Sequence, residues 1–128
     1  MDKKIISTAA LLGAVAIILG AFGAHALKKV LSIEELGTFE TGVKYQMYHA
    51  LFLLFVGTTN LVSEKAKKGI FYLVLVGTLF FSGSVYLLAT DSLNSFNFKV
   101  LGPITPIGGF LLILSWIWLF IDILKKKA

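Results

Sequence analysis

The chain has 128 residues, of which 57% are hydrophobic and 15% charged, with a formal net charge of +5. Soluble domains run near 45–50% apolar and about 25% charged, so this composition excludes a soluble enzyme, a disordered tail and a secreted disulfide scaffold. Cysteine is absent and all 12 basic residues are lysine, which removes thiol chemistry, thiolate metal sites and bidentate guanidinium recognition of phosphate.

Four apolar runs occupy about residues 5–26, 45–62, 69–89 and 104–124. At ~1.5 Å per residue each is long enough to cross a hydrocarbon layer of ~30 Å. None alternates with period two, so they read as helices. The expected fold class is all-α. It is a single membrane domain over residues 1–128, a four-transmembrane-helix antiparallel bundle with a short interfacial helix between spans one and two.

The first run follows Lys3 and Lys4 and ends on Ala24-His25-Ala26, which mimics a cleaved signal peptide. It is longer than the usual apolar region of ~7–15 residues, so an uncleaved first helix is expected. Ala9, Gly13, Ala16, Gly20 and Gly23 recur at spacings of three and four along it. Such a stripe lets helix backbones approach closely. Gly13, Gly20 and Gly23 are therefore expected to pack helices, within or between subunits, with a cavity wall as the alternative.

Between the first two runs, Ser32-Ile33-Glu34-Glu35 fits a capping box. A short helix should begin at Ile33, with Thr38 as a second N-cap and bends at Gly37 and Gly42. The densest polar cluster, Glu40 to His49, comes next. Glu40 and Lys44 are spaced to pair, and Tyr45 and His49 share a face. Ionisable groups inside a membrane are functional candidates by default. His25 falls near the same level as His49. The plainer roles are structural hydrogen bonds for the histidines and an aromatic belt for Tyr45 and Tyr48.

Glu64 to Lys68 reads as a short turn that makes spans two and three antiparallel neighbours. The third run carries Ser82-Gly83-Ser84-Val85-Tyr86 near its outer end, with Ser82 and Tyr86 on one face. Asp91 to Leu101 reads as an outer loop. Pro103 and Pro106 suit the start of the fourth helix, which also carries Thr105, Ser115 and Asp122. Asp122 is spaced to pair with Lys125 or Lys126. Of Trp116 and Trp118, at least one should face protein.

Lysines set an expected orientation. Lys3, Lys4, Lys65, Lys67, Lys68 and Lys125 to Lys127 would share one side, against Lys28, Lys29, Lys44 and Lys99 on the other. The positive-inside rule then places both termini in the cytoplasm. The same flanking positions make topology, not nucleic-acid binding, the reason for the basic balance.

No His pair has metal-ligand spacing, and no nucleophile stands with a base and an orienter. No metal, cofactor or enzymatic activity is expected. The polar residues gather in the outer half of the membrane. The leading expectation is binding, with transport as an extension, of a lipid or small apolar molecule in an outward-facing pocket. Its ligand-binding residues would be His25, Glu40, Lys44, Tyr45, Gln46, His49, Ser82 and Tyr86. The alternative is a structural or assembly subunit acting through helix packing. Expected partners are membrane lipids and further copies of the chain, as a homo-oligomer.

Four segments carry a resemblance: Gly20 to Leu27, Thr38 to Ala50, Phe81 to Tyr86 and Leu101 to Gly109. Together they resemble the domain of unknown function 423 family of small bacterial membrane proteins, to which animal transmembrane protein 256 is similar. The likeness runs from about Gly13 to Trp116. It implies a four-span inner-membrane protein with an uncleaved first helix, and it implies no activity.

Overall fold

A computed structural model describes residues 2–93 and 101–125. It is all helical: α1 (Asp2–His25), α2 (Ile33–Thr58), α3 (Glu64–Thr78), α4 (Ser84–Ala89) and α5 (Ile104–Lys125). A π-helical turn over Leu79–Gly83 joins α3 to α4, so the two form one continuous rod. Short 3-10 turns lie at Leu27–Lys29 and Asp91–Leu93. Most of the loop expected at Asp91 to Leu101 falls outside the described residues.

The Ser32 capping box forms: Ser32 Oγ accepts from the Glu35 amide at 3.1 Å and the Ser32 amide donates to Glu35 Oε1 at 2.9 Å. That backbone bond, with one from the Ser92 side chain, holds the Glu35 carboxyl below the usual carboxylate range. The helix then continues without a break to Thr58, so a separate interfacial helix is not seen. Thr38 and Thr41 do not cap. Their hydroxyls donate back to the carbonyls of Glu34 and Gly37, one turn earlier, and no glycine adopts a positive φ that would bend the chain.

Residues 64–68 are likewise helix, not turn. Ser63 is the N-cap of α3, its Oγ accepting from the Ala66 amide at 3.2 Å. Asp122 holds that cap from α5: its Oδ2 accepts from the Ser63 amide at 2.9 Å and its Oδ1 from Ser63 Oγ at 2.8 Å. This replaces the pairing of Asp122 with Lys125 or Lys126; Lys126 lies outside the described residues. Lys67 is buried and pairs with Asp2 of α1 at 3.1 Å.

Among the described residues, three helical stretches are long and apolar enough to cross a membrane: Asp2–Lys29, Glu64–Ala89 and Ile104–Lys125. α2 has 26 residues but carries Lys44, Gln46 and His49, which is why it does not qualify by composition. It nonetheless lies within the bundle, as the α3–α4 rod does. Gly42, Gln46, His49, Leu53 and Val56 are buried on it, whereas α1 and α5 leave broad apolar faces exposed, including Ile17, Ile18, Ile113 and Phe120.

The core is in two parts. One joins Ile5 and Ala9 of α1, Leu53 and Val56 of α2, and Ile70 and Val74 of α3. The other, at the opposite end, joins Leu27, Leu31, Phe39 and Ala89. α5 seats on the rod through glycine: a Cβ added at Gly108 would lie 2.4 Å from the Phe81 amide nitrogen and 2.8 Å from the Gly77 carbonyl oxygen.

Gly108→Ala should therefore lower the thermal unfolding midpoint in detergent, overpacking of this kind costing about 1–3 kcal/mol. Gly37→Ala, where an added Cβ meets nothing within 4 Å, should raise stability by about 0.5–1 kcal/mol through helix propensity. Circular dichroism melts compare the two, and shifts of the same sign would contradict this packing.

Candidate functional site

The two buried polar residues of α2, Gln46 and His49, turn to different neighbours. Towards α1 and α4 stands Gln46, 4% exposed. Its Nε2 donates to the Leu12 carbonyl at 2.9 Å, and its Oε1 accepts from the Tyr86 hydroxyl at 2.7 Å. A carbonyl can only accept, so the Leu12 bond fixes which way the amide points. The Tyr86 ring lies on Gly42, where an added Cβ would come within 2.7 Å of it. One turn before Tyr86, Ser82 Oγ donates to the Gly42 carbonyl at 2.8 Å. Two helices are thus tied to α2 by side chain to backbone bonds, each worth about 0.6 kcal/mol in a membrane and up to ~1.7.

Between the two parts of the core, α1 does not close against the rod. A cleft of about 620 Å³ remains. Its walls are Leu11, Leu12, Val15 and Leu19 on one side and Leu75, Val76 and Leu79 on the other; Gln46, Thr78, Ser82 and Tyr86 add polar groups. Leu11 and Leu79 are exposed at its rim, so it opens sideways at mid-helix depth, not towards the outer surface. Among the described residues, no charged side chain lines it. At the N-terminal end of α1, Lys4 Nζ bonds the Tyr72 hydroxyl at 3.3 Å, tying α1 to α3 below the cleft.

Towards α5 stands His49, also 4% exposed. Trp116 Nε1 donates to its Nε2 at 3.0 Å, and its Nδ1 lies 2.7 Å from the Tyr45 carbonyl. An indole N–H can only donate and a carbonyl can only accept. The pair of bonds is met by the neutral ring with its proton on Nδ1. Trp116 also stacks on Phe52, ring centroids 4.0 Å apart. A smaller cavity of about 330 Å³ beside them is lined by Tyr45, His49, Phe81 and Trp116, among others. Ser84, on the same side of the rod, bonds the Phe80 carbonyl and meets Thr105 Oγ1 of α5 at 2.6 Å.

The expected site residues separate accordingly. Gln46, Ser82 and Tyr86 come together in the cleft. Tyr45 and His49 belong to the smaller cavity, and both nitrogens of His49 are engaged, leaving none for a ligand. His25, Glu40 and Lys44 are exposed, away from both cavities, and Glu40 and Lys44 form no ion pair among the described residues. They lie at the C-terminal end of α1 and in the N-terminal half of α2. Gly13, Gly20 and Gly23 lie against α2 of the same chain, facing Ala50, Val43 and Phe39 respectively. Trp116 and Thr78 were not expected at a site. Thr78 lies four residues before Ser82 and eight before Tyr86, a helical spacing that marks it in the sequence.

The Trp116 indole proton reports the His49 bond directly. In His49→Ala its resonance should move upfield and its exchange with deuterated solvent should quicken by up to about tenfold, equivalent to the ~0.5–1.5 kcal/mol of one hydrogen bond. The Trp118 signal should stay in place. Nuclear magnetic resonance of the two indole groups settles the assignment, and an unmoved Trp116 signal refutes it.

Comparison with known proteins adds the family. The family described as "Protein of unknown function (DUF423)" matches residues 19–109. The chain is similar to the UPF0382 membrane protein SAB0533 of Staphylococcus aureus, 41% identical over 96% of this chain and 97% of the relative. It is 36% identical to the UPF0382 membrane protein YwdK of Bacillus subtilis, over 96% and 98% of the two chains. To the UPF0382 inner membrane protein YgdD of Escherichia coli it is 32% identical, over 93% and 88%. No solved structure matches. With the family matched across most of the chain, and relatives named as membrane proteins matched across nearly all of it, the protein belongs to the DUF423 family.

Proposed function

We propose that this chain is a four-span inner-membrane protein with both termini in the cytoplasm, and that it binds a lipid or small apolar molecule in the cleft between α1 and the α3–α4 rod. The cleft itself carries this reading. It has apolar walls, a few polar groups within, and a mouth facing sideways, where a lipid chain would enter from the bilayer. Its volume of about 620 Å³ falls in the ~300–1,000 Å³ of ligand pockets. The Gly13 to Gly23 face is occupied by α2 of the same chain, which favours binding over assembly through that face. The engaged nitrogens of His49 favour a binder over an enzyme.

The four-span reading rests on α2. Its Gln46 and His49 are buried and bonded to other helices, so its low hydropathy is no barrier to lying within a lipid-surrounded bundle. The lysine distribution supports the orientation.

Two measurements test the proposal. Native mass spectrometry from phosphatidylcholine nanodiscs should show a stoichiometric lipid adduct on the wild type and its loss in Val15→Trp, which fills the cleft. Only exchangeable lipid on both would defeat the binding reading. The chain has no cysteine, so single cysteines report topology without background. Val30→Cys should react with a membrane-impermeant maleimide in intact cells, and Lys68→Cys only after permeabilisation. The reverse pattern would invert the orientation, and equal access to both would remove the span between them.

A further inference from the structure

Thr78 differs from the threonines that back-bond within these helices. Thr38, Thr41, Thr58 and Thr90 return their hydroxyls to the carbonyl one turn back, the ordinary resolution for threonine in a helix. Thr78 is 6% exposed and its Oγ1 is the buried side-chain oxygen without a hydrogen-bond partner among the described residues. It lines the cleft. A buried hydroxyl left unpaired costs about 1–3 kcal/mol, and threonine in a helix divides between two χ1 rotamers, so its hydroxyl can turn to meet an occupant.

The other polar groups there define what that occupant must offer. Tyr86 gives its hydrogen to Gln46, and Ser82 gives its hydrogen to Gly42. Both oxygens keep lone pairs that can still accept. The uncommitted donors are the Thr78 hydroxyl and the second Nε2 hydrogen of Gln46. The lining therefore suits a group that both donates and accepts. Among the described residues its lining also carries no charge, and an anionic headgroup buried without a cation is strongly disfavoured.

We propose that the cleft selects a neutral lipid alcohol, its single hydroxyl donating to a cleft oxygen and accepting from Thr78. This rests on the reading of the cleft as a binding site and names its ligand class. A ketone or ester accepts only, and a phosphate brings charge; neither matches the lining.

The test uses full-length protein in phosphatidylcholine nanodiscs doped in turn with dioleoylglycerol, its acetyl ester or dioleoyl phosphatidic acid, read by native mass spectrometry. Dioleoylglycerol should be retained at one per chain, about tenfold over the acetyl ester, the discrimination one hydrogen bond to a buried group supplies. Thr78→Val should reduce retention at least fivefold with an unchanged or higher melting temperature, and Thr78→Ser should restore it. Equal retention of the three lipids, preference for phosphatidic acid, or indifference to Thr78→Val would overturn the neutral-alcohol assignment. If those outcomes come with adducts that Val15→Trp removes, the cleft still binds lipid and only its selectivity is misassigned. If no probe is retained and Val15→Trp changes nothing, both readings fall.

Discussion

The bundle depends on how α2 disposes of its polar side chains. A helix carrying Gln46 and His49 in its middle cannot face hydrocarbon, because each unpaired polar group there has no water to turn to. It must be surrounded by other helices that supply partners. Gln46 finds them in the Leu12 carbonyl and the Tyr86 hydroxyl, and His49 finds them in its own helix and Trp116. Those bonds tie α1 and α4 to α2 through Gln46, and α5 to α2 through His49. A helix with buried polar groups is thereby enclosed, and the apolar helices α1 and α5 are left on the outside.

The cleft follows from the same arrangement. α1 is held to α2 along a face of small residues, while the rod is held to α2 by Ser82 and Tyr86 and to α5 by the close approach at Gly108. The π turn lies where both sets of contacts meet. Its wider backbone accepts Gly108 on one side and presents Ser82 to α2 on the other. With the rod drawn towards α2 and α5, and α1 packed elsewhere, only the two ends of α1 and the rod are sealed. Ile5 and Ala9 close one end, and Leu27 with Ala89 closes the other.

Local rules made much of this legible. Apolar runs located α1, the rod and α5, and the Ser32 capping box located the start of α2 within a residue. The errors also have local causes. Thr38 has the chemistry of an N-cap, but a threonine inside a helix satisfies its hydroxyl by back-bonding, and sequence does not say which use it takes. Glu64 to Lys68 looked like a turn because it is charged. The capping Ser63 makes it helix, and the buried Lys67 is balanced by Asp2, which lies 65 positions away in the chain. Asp122 was read against lysines on its own helix, yet it bonds Ser63, 59 positions away. Partners across the bundle are invisible to spacing rules. The polar cluster of residues 40–49 pointed to the right helix, but Gln46 and His49, only three residues apart, bond different helices, which spacing does not tell.

That division bears on which cavity could bind. Around His49 the donors and acceptors cancel: indole to imidazole, imidazole to carbonyl. A ligand arriving there would have to break a bond before forming one, and the exchange gains little. At the α1 flank the count is unbalanced, because Thr78 has no partner among the described residues and the oxygens of Ser82 and Tyr86 retain acceptor capacity. A protein that only needed to close its bundle would lose nothing by carrying valine at residue 78, since Val and Thr are nearly isosteric and the hydroxyl is the part left unpaired. The open mouth and the unpaired hydroxyl therefore point the same way, and they lie in the same cleft.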